Sequence, residues 1–194
     1  KQYFRAGDMH FVDLNGDHQI TDADRTFIGD PNPKAYGNVF TSLSYKRFRL
    51  DANFNYCLGN DVFNYQRQQL ESGSRFINQT TAMLQRWQSE GDQTSMPRVS
   101  FQDPMGNSRF SDRWIEDGSY FHLKTVTLSY TLPVHTSYLQ GLEYWVQANN
   151  VFTLTKYLGS DPEFAVTSSV IGQGIDAGQL PQSRSFVAGV KINL

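Results

Sequence analysis

The sequence predicts an all-β chain whose antiparallel strands belong to the wall of a membrane barrel. Three observations point there. Apolar and polar residues alternate with period two in five stretches, which puts one apolar and one polar face on each strand. The connections between the stretches run long, short, long, short, long, the rhythm of barrels with short turns on one rim and long loops on the other. The last stretch alternates to the final residue: Phe186, Ala188, Val190, Ile192 and Leu194 share one side. Soluble domains usually let their termini trail into solvent, whereas a closing barrel strand is paired along its length.

Each element can be justified in order. Residues 1–36 are polar and rich in turn residues, and read as a loop with local structure of its own. A hairpin comes next, at 37–58. Its first strand, about Gly37 to Tyr45, places Val39, Thr41, Leu43 and Tyr45 on one face. Its second, about Phe48 to Leu58, alternates Leu50, Ala52, Phe54 and Tyr56 with Asp51, Asn53, Asn55 and Cys57. Only Lys46-Arg47 separates them, the length of a tight hairpin turn. Residues 59–118 form a long loop. Short helices are expected at Asp61 to Ser72 and Gln79 to Ser89, and Pro97, Pro104 and Gly106 keep the rest of the loop irregular.

A second hairpin is expected at 119–153. Val126, Leu128, Tyr130 and Leu132 alternate with Thr125, Thr127, Ser129 and Thr131, and Pro133 ends the strand. Its partner, about Leu142 to Phe152, alternates Leu142, Tyr144, Val146 and Ala148 with Glu143, Trp145, Gln147 and Asn149. Loop 154–183 then leads to the closing strand 184–194. This topology places Lys46-Arg47 and Pro133–Gly141 on the periplasmic rim and the three long segments outside the cell.

Composition narrows the function. With 194 residues the chain can form a domain with a core. A net charge of −2 leaves no basic footprint for nucleic acid. Fourteen Phe and ten Tyr suit carbohydrate-binding surfaces or the aromatic girdles of a barrel. No run of ~18 apolar residues exists, which excludes a membrane-spanning helix but not a barrel. Cys57 is the only cysteine, so no intrachain disulfide forms. Five strands fall short of the ~8 that close a membrane barrel. The chain is therefore expected to be part of a larger protein. The alternative is a soluble, calcium-stabilised carbohydrate-binding or adhesive β-domain.

Several runs resemble the SusC/RagA family of TonB-linked outer-membrane transporters of Bacteroidetes. They include Asp13-Leu14-Asn15-Gly16-Asp17 through Thr26, Ile28-Gly29-Asp30-Pro31-Asn32-Pro33, Gly59-Asn60-Asp61-Val62-Phe63-Asn64 and Ser111-Asp112-Arg113-Trp114-Ile115-Glu116-Asp117-Gly118. They continue with Leu123 to Tyr130, Asn149 to Tyr157, Asp161-Pro162-Glu163 and Pro181 to Phe186, so the likeness covers nearly the whole chain in order. The resemblance implies the C-terminal strands of a plugged barrel of about 22 strands in the cell outer membrane. It implies a SusD-like surface lipoprotein as partner, and energy from the TonB complex through N-terminal regions absent from this chain. The cargo would be oligosaccharide or, in the RagA branch, peptide. The family usually ends on an aromatic residue, and this chain has Leu194 there.

Two candidate sites emerge. Calcium loops place oxygen ligands at positions 1, 3, 5, 7, 9 and 12. Counted from Asp13, these are Asp13, Asn15, Asp17, the Gln19 carbonyl, Thr21 and Asp24, a set expected to hold a structural Ca2+ ion. His18 replaces the usual Gly at position 6, and Asp24 replaces a Glu at position 12. The same residues also suit an Asx-rich turn capped at a helix start. The second candidate is the set of loop aromatics Phe63, Tyr65, Trp87 and Trp114, with Phe76, which could stack on sugar rings or form the loop's own small core.

Catalysis is not expected. Asp161, Glu163, Glu116 and Asp117 are explained by loop turns and pairing with Arg113, and His10, His18, His122 and His135 have no metal-ligand spacing. The polar faces of the strands, with Asp51, Asn53, Asn55, Glu143, Gln147 and Asn149, are expected to face a lumen.

Overall fold

The computed structural model describes residues 4–134, 136, 138, 141–164 and 170–193; Lys1, His135 and Leu194 lie outside the described residues. Among the described residues there are eight strands: β1 (Ala35–Tyr45), β2 (Phe48–Leu58), β3 (Asp61–Asn64), β4 (Ile115–Asp117), β5 (Tyr120–Leu132), β6 (Gly141–Thr155), β7 (Ile175–Asp176) and β8 (Ser185–Asn193). An α-helix, α1, spans Tyr65–Glu71.

The long strands form a single five-stranded sheet in the order β1-β2-β5-β6-β8, antiparallel throughout. Each strand pairs with the long strand before it, an up-and-down meander. The Lys46-Arg47 turn is tight because Lys46 takes a φ of 55°, the left-handed conformation that two-residue hairpin loops require. The strand starts and ends fall within a few residues of the alternation read in the sequence.

One irregularity bends the sheet. Asn53 of β2 pairs with Thr125, but the next residue, Phe54, pairs with Leu123, so Lys124 is an extra residue in β5. Opposite it in β6, the register passes from Asn149 to Phe152, and Asn150 has a φ of 51°. Such a bulge tilts the local side chains and increases twist. Here it switches the apolar face of β5 from Phe121 and Leu123 to Val126, Leu128 and Tyr130, and turns His122 and Lys124 to the polar side together.

The apolar face is a continuous band. One register row runs Tyr45, Phe48, Tyr130, Tyr144, Val190, and others run Leu43, Leu50, Leu128, Val146, Ala188 and Thr41, Ala52, Val126, Ala148, Phe186. Most large residues in these rows are solvent-exposed, and among the described residues no second sheet covers them. The opposite face is a hydrogen-bonded polar ladder. Asn38 donates to Asn53 and Asn55, Thr127 bonds Gln147, Gln147 donates to Asn149, and Asn149 donates to Ser185.

The buried core sits in the loops, at one end of the sheet. β3 pairs antiparallel with β4 and parallel with β7 in a small second sheet, and Val62 and Trp114 are each 1% exposed beside it. Two expectations are corrected here. The Asp61 to Ser72 stretch is a strand followed by a helix, because Asn64 caps α1 by accepting from the Arg67 amide. The Gln79 to Ser89 stretch contains only a short 3-10 turn at Thr81–Gln85.

Candidate functional site

The three long segments fold into one cap over the end of the sheet. Segment 4–34 is joined to loop 59–118 by the Asp8–Arg98 ion pair at 2.7 Å, by Asn107 donating to Asp8, and by Gly7 lying against the Trp87 ring. Burial raises the Asp8 carboxyl, but hydrogen bonds from Arg98, Asn107 and the Arg5 amide outweigh it and hold the group below its ordinary range. Loop 155–184 is joined to the same loop by the Phe63 amide donating to the Gly174 carbonyl and by the Leu158 amide donating to Glu116.

At the centre of the cap, Arg67 reaches Glu71 at 3.1 Å and also pairs with Glu116, while Asn64 donates to Glu116. Burial lowers the Arg67 guanidinium, and the two carboxylates more than offset this, so it stays charged. Arg67 and Arg113 both lie over the Trp114 ring, 5.4 and 4.8 Å from its centroid. Nearby, the Tyr157 hydroxyl donates to buried Asp176, and burial together with this bond pushes the phenol above its usual range. The expected Glu116–Arg113 pairing is not formed: Arg67 takes Glu116, and Arg113 donates to the Ser95 carbonyl.

A second polar cluster ties the cap to the wall. His122, 2% exposed, and bulged Lys124 both grip Glu163, at 2.8 and 3.1 Å, and Lys124 also donates to Gln182. Asp161 accepts from the amides of Glu163 and Gln182, which closes the base of the loop between them. Burial raises the Glu163 carboxyl, but the bonds and charges of His122 and Lys124 outweigh it, so its proton affinity falls below the ordinary glutamate value. Sequence reading missed this cluster because its contacts join residues 39 to 58 apart in the chain. The one local signal was the break in β5 alternation at Lys124.

The sequence-predicted site residues divide. Trp114 is not a ligand platform: it is buried, its indole N–H donates to the Arg109 carbonyl, and it forms the cap's core. Phe63 packs edge-on against Phe110 at 4.8 Å and beside half-exposed Tyr65 at 6.0 Å. Trp87 is half-buried against Gly7. These positions do not converge on one cleft. Phe76 is exposed and packs on Phe101 at 5.1 Å instead.

The acidic loop folds around its own amides. Asp13 accepts from Gly16 and His18, Asn15 from Asp17, Asp17 from Gln19, and Asp24 from Leu14 and Thr21. Thr21 and Asp24 make a reciprocal capping box on the 3-10 turn at Asp22–Asp24. His18 adopts a φ of 62°, so it takes the sharp turn for which calcium loops normally use Gly. Among the described residues, no group of three or more His, Cys, Asp or Glu side chains is arranged to hold a metal.

The wall decides the class. At about 3.4 Å per residue and a tilt near 40°, the band from Phe121 to Tyr130 rises roughly 23 Å, close to the ~25 Å apolar belt of outer-membrane barrels. Aromatic rows flank it, Tyr45, Phe48, Tyr130 and Tyr144 below and Phe54, Tyr56, Phe121 and Phe152 above. No family model matches the chain. The TonB-dependent receptor P3 of Formosa agariphila is 33% identical over 190 residues, covering 94% of this chain and 18% of the relative. The TonB-dependent receptor P39 of the same organism is 26% identical, covering 97% and 19%. The RagAB peptide importer in its closed-closed state superposes with a TM-score of 0.75 at 27% identity, over 90% of this chain and 19% of that one. A second RagAB peptide transporter structure gives 0.75 at 28% identity, again over 90% and 19%.

The chain is homologous to the C-terminal region of TonB-dependent receptors of the RagA type. It spans about a fifth of the length of the relatives it matches. Its sheet is the C-terminal part of the receptor barrel in the cell outer membrane, with the apolar band toward lipid and the polar ladder toward the lumen. This removes the soluble β-domain alternative, whose apolar face would need a cover. The exposed Val39, Leu43, Val146, Phe186 and Ile192 are lipid-facing positions.

Proposed function

We propose that this chain supplies wall strands and outer loops of a receptor that imports peptides by TonB-dependent transport, with a SusD-like lipoprotein seated over the loop cap. The observation that carries the reading is the joint match of wall and cap to the RagAB peptide importer over 90% of the chain. Family resemblance alone admits oligosaccharide or peptide cargo; likeness to a peptide importer favours peptide. The Lys46-Arg47 turn then faces the periplasm and the cap faces outward. The chain's part is passive and structural: it seals the bilayer, lines the lumen with hydrogen-bonding side chains and presents the cap. It carries out no catalysis.

The test is uptake by cells carrying the full-length receptor and its neighbouring lipoprotein. Labelled oligopeptides should accumulate only when both proteins and an energised TonB system are present. Uptake of oligosaccharides with no peptide uptake would overturn the cargo reading, and uptake without the lipoprotein would overturn the partner. The acidic loop is proposed separately as a structural Ca2+ site formed by Asp13, Asn15, Asp17, Gln19, Thr21 and Asp24. Support comes from the left-handed turn at His18, which fits the loop shape such ligand sets need.

A further inference from the structure

The cap carries a cleft of about 570 Å3 lined by Ser74, Arg75, Phe101, Gln102, Asp103 and Ser108, within the size range of small-ligand sites. Its charges are unequal. Asp103 is spent internally: its carboxylate accepts from the Asn107 and Ser108 amides and the Ser108 hydroxyl, at 2.6 to 2.8 Å. Arg75 is exposed and pairs with no acceptor among the described residues. The cleft therefore offers a cation with five N–H donors and no competing free carboxylate on its lining.

Its apolar wall is Phe101, with Phe76 packed on it at an interplanar angle of 31°. Phe76 is 93% exposed. A Phe pair has no hydroxyl or indole N–H, so it suits an apolar side chain better than a hydroxyl-covered sugar face. The wall is held in place. The Gln102 amide donates to the Ser74 carbonyl, joining the two sides of the cleft, and Gln102 and Asp103 take left-handed φ values of 61° and 49°. Two consecutive non-glycine residues in that conformation store strain that the surrounding bonds must hold.

We propose that this cleft is a subsite for the C-terminal end of a peptide, its carboxylate on Arg75 and its apolar last side chain on Phe101 and Phe76. The inference rests on the peptide-import reading and names a position within it. A carboxylate meets a guanidinium in a bidentate fork, and the neighbouring Phe101 and Phe76 rings give the last side chain an apolar contact.

The experiment uses the full-length receptor with its lipoprotein in detergent. Two probes are titrated calorimetrically: the pentapeptide Gly-Ser-Gly-Ser-Phe as free acid, and the same peptide with an amidated C-terminus. The expected result is tighter binding of the acid by about tenfold, a gap that Arg75→Gln abolishes and Arg75→Lys partly keeps. Phe101→Ala should weaken both probes. Equal binding of acid and amide, unchanged by Arg75→Gln, would overturn the subsite and leave peptide import standing. Failure of both probes to bind, with an oligogalacturonate binding instead, would overturn the subsite and the peptide reading together.

Discussion

His122 Nδ1 lies 2.8 Å from Glu163 Oε2, across the junction between the barrel wall and the loop that precedes β8. With Lys124 on the same carboxylate, this contact fixes where that loop leaves the wall. Glu163→Gln removes the charge that two cationic or donor groups face, and should cost about 1.5–3 kcal/mol of local stability. Hydrogen exchange of peptides from loop 155–182 in the full receptor should accelerate severalfold, while wall peptides stay protected.

The same contact gives a pH dependence with a definite sign. The folded Glu163 carboxyl binds its proton less readily than an unfolded glutamate does. Its stabilisation is therefore complete above the unfolded value, about 4.3, and fades as pH falls through the lower folded value. Loop protection should hold from neutral pH to about 5 and drop in more acidic buffer. Glu163→Gln should flatten that profile. A profile unchanged by the substitution would assign the acid sensitivity to other groups.

Arg67 is the central charge of the cap, and its removal strands two acids. Glu71 is buried and the Glu116 side chain is nearly so. Arg67→Ala leaves both without their ion-pair partner, though Asn64 and the Leu158 amide still donate to Glu116 and Thr80 to Glu71, at a cost of about 3 kcal/mol to the cap. Limited proteolysis of the intact receptor should then cut within 59–118. The barrel itself should still migrate as a folded species on unheated gels, since its strands pair independently of Arg67.

The two faces of one strand predict opposite tolerance. Val126 lies in the middle of the lipid-facing band, and Thr127 faces the lumen beside Gln147. Val126→Arg should destabilise by about 2–4 kcal/mol, and Thr127→Arg by much less. Urea unfolding in detergent micelles would measure both. Gly189→Ala adds a further check on the lumen side. The added Cβ would meet the Trp145 ring at 2.5 Å, so the indole must move, costing about 1–3 kcal/mol.

The calcium proposal has its own measurement. Calorimetric titration of the metal-stripped receptor with Ca2+ should release heat that Asp13→Ala abolishes. No heat in the parent protein would remove the claim. Asp13→Ala should loosen the loop in either case, because the Asp13 carboxylate holds the Gly16 and His18 amides.

How much of the fold was legible in the sequence depends on the range of the forces involved. The wall strands were readable because each is long and amphipathic, and each pairs with a neighbour in chain order. The small sheet was not readable: β7 is two residues long and meets β3 through Phe63 and Ile175, which are remote in sequence. Neither partner has a period to read. For Trp114 the sequence left two readings open, sugar platform or loop core, for a related reason. Its loop is polar overall, and only folding shows that Arg67 and Arg113 cover the ring. The bulge at Lys124 was visible only as a break in alternation, and its use in placing Lys124 beside His122 needed the third dimension.

The mutual stapling of the three outer segments bears on how such receptors diversify. Asp8 holds Arg98, Phe63 holds Gly174, and Glu116 holds Leu158, so each segment finds part of its fold in another. A loop grafted singly from a relative would arrive without its counterparts and leave buried acids and amides bare. New cargo preferences should therefore be inherited as whole sets of outer segments. Engineers wishing to retarget the receptor would do best to transplant all three together, cutting at the hydrogen-bonded strand ends.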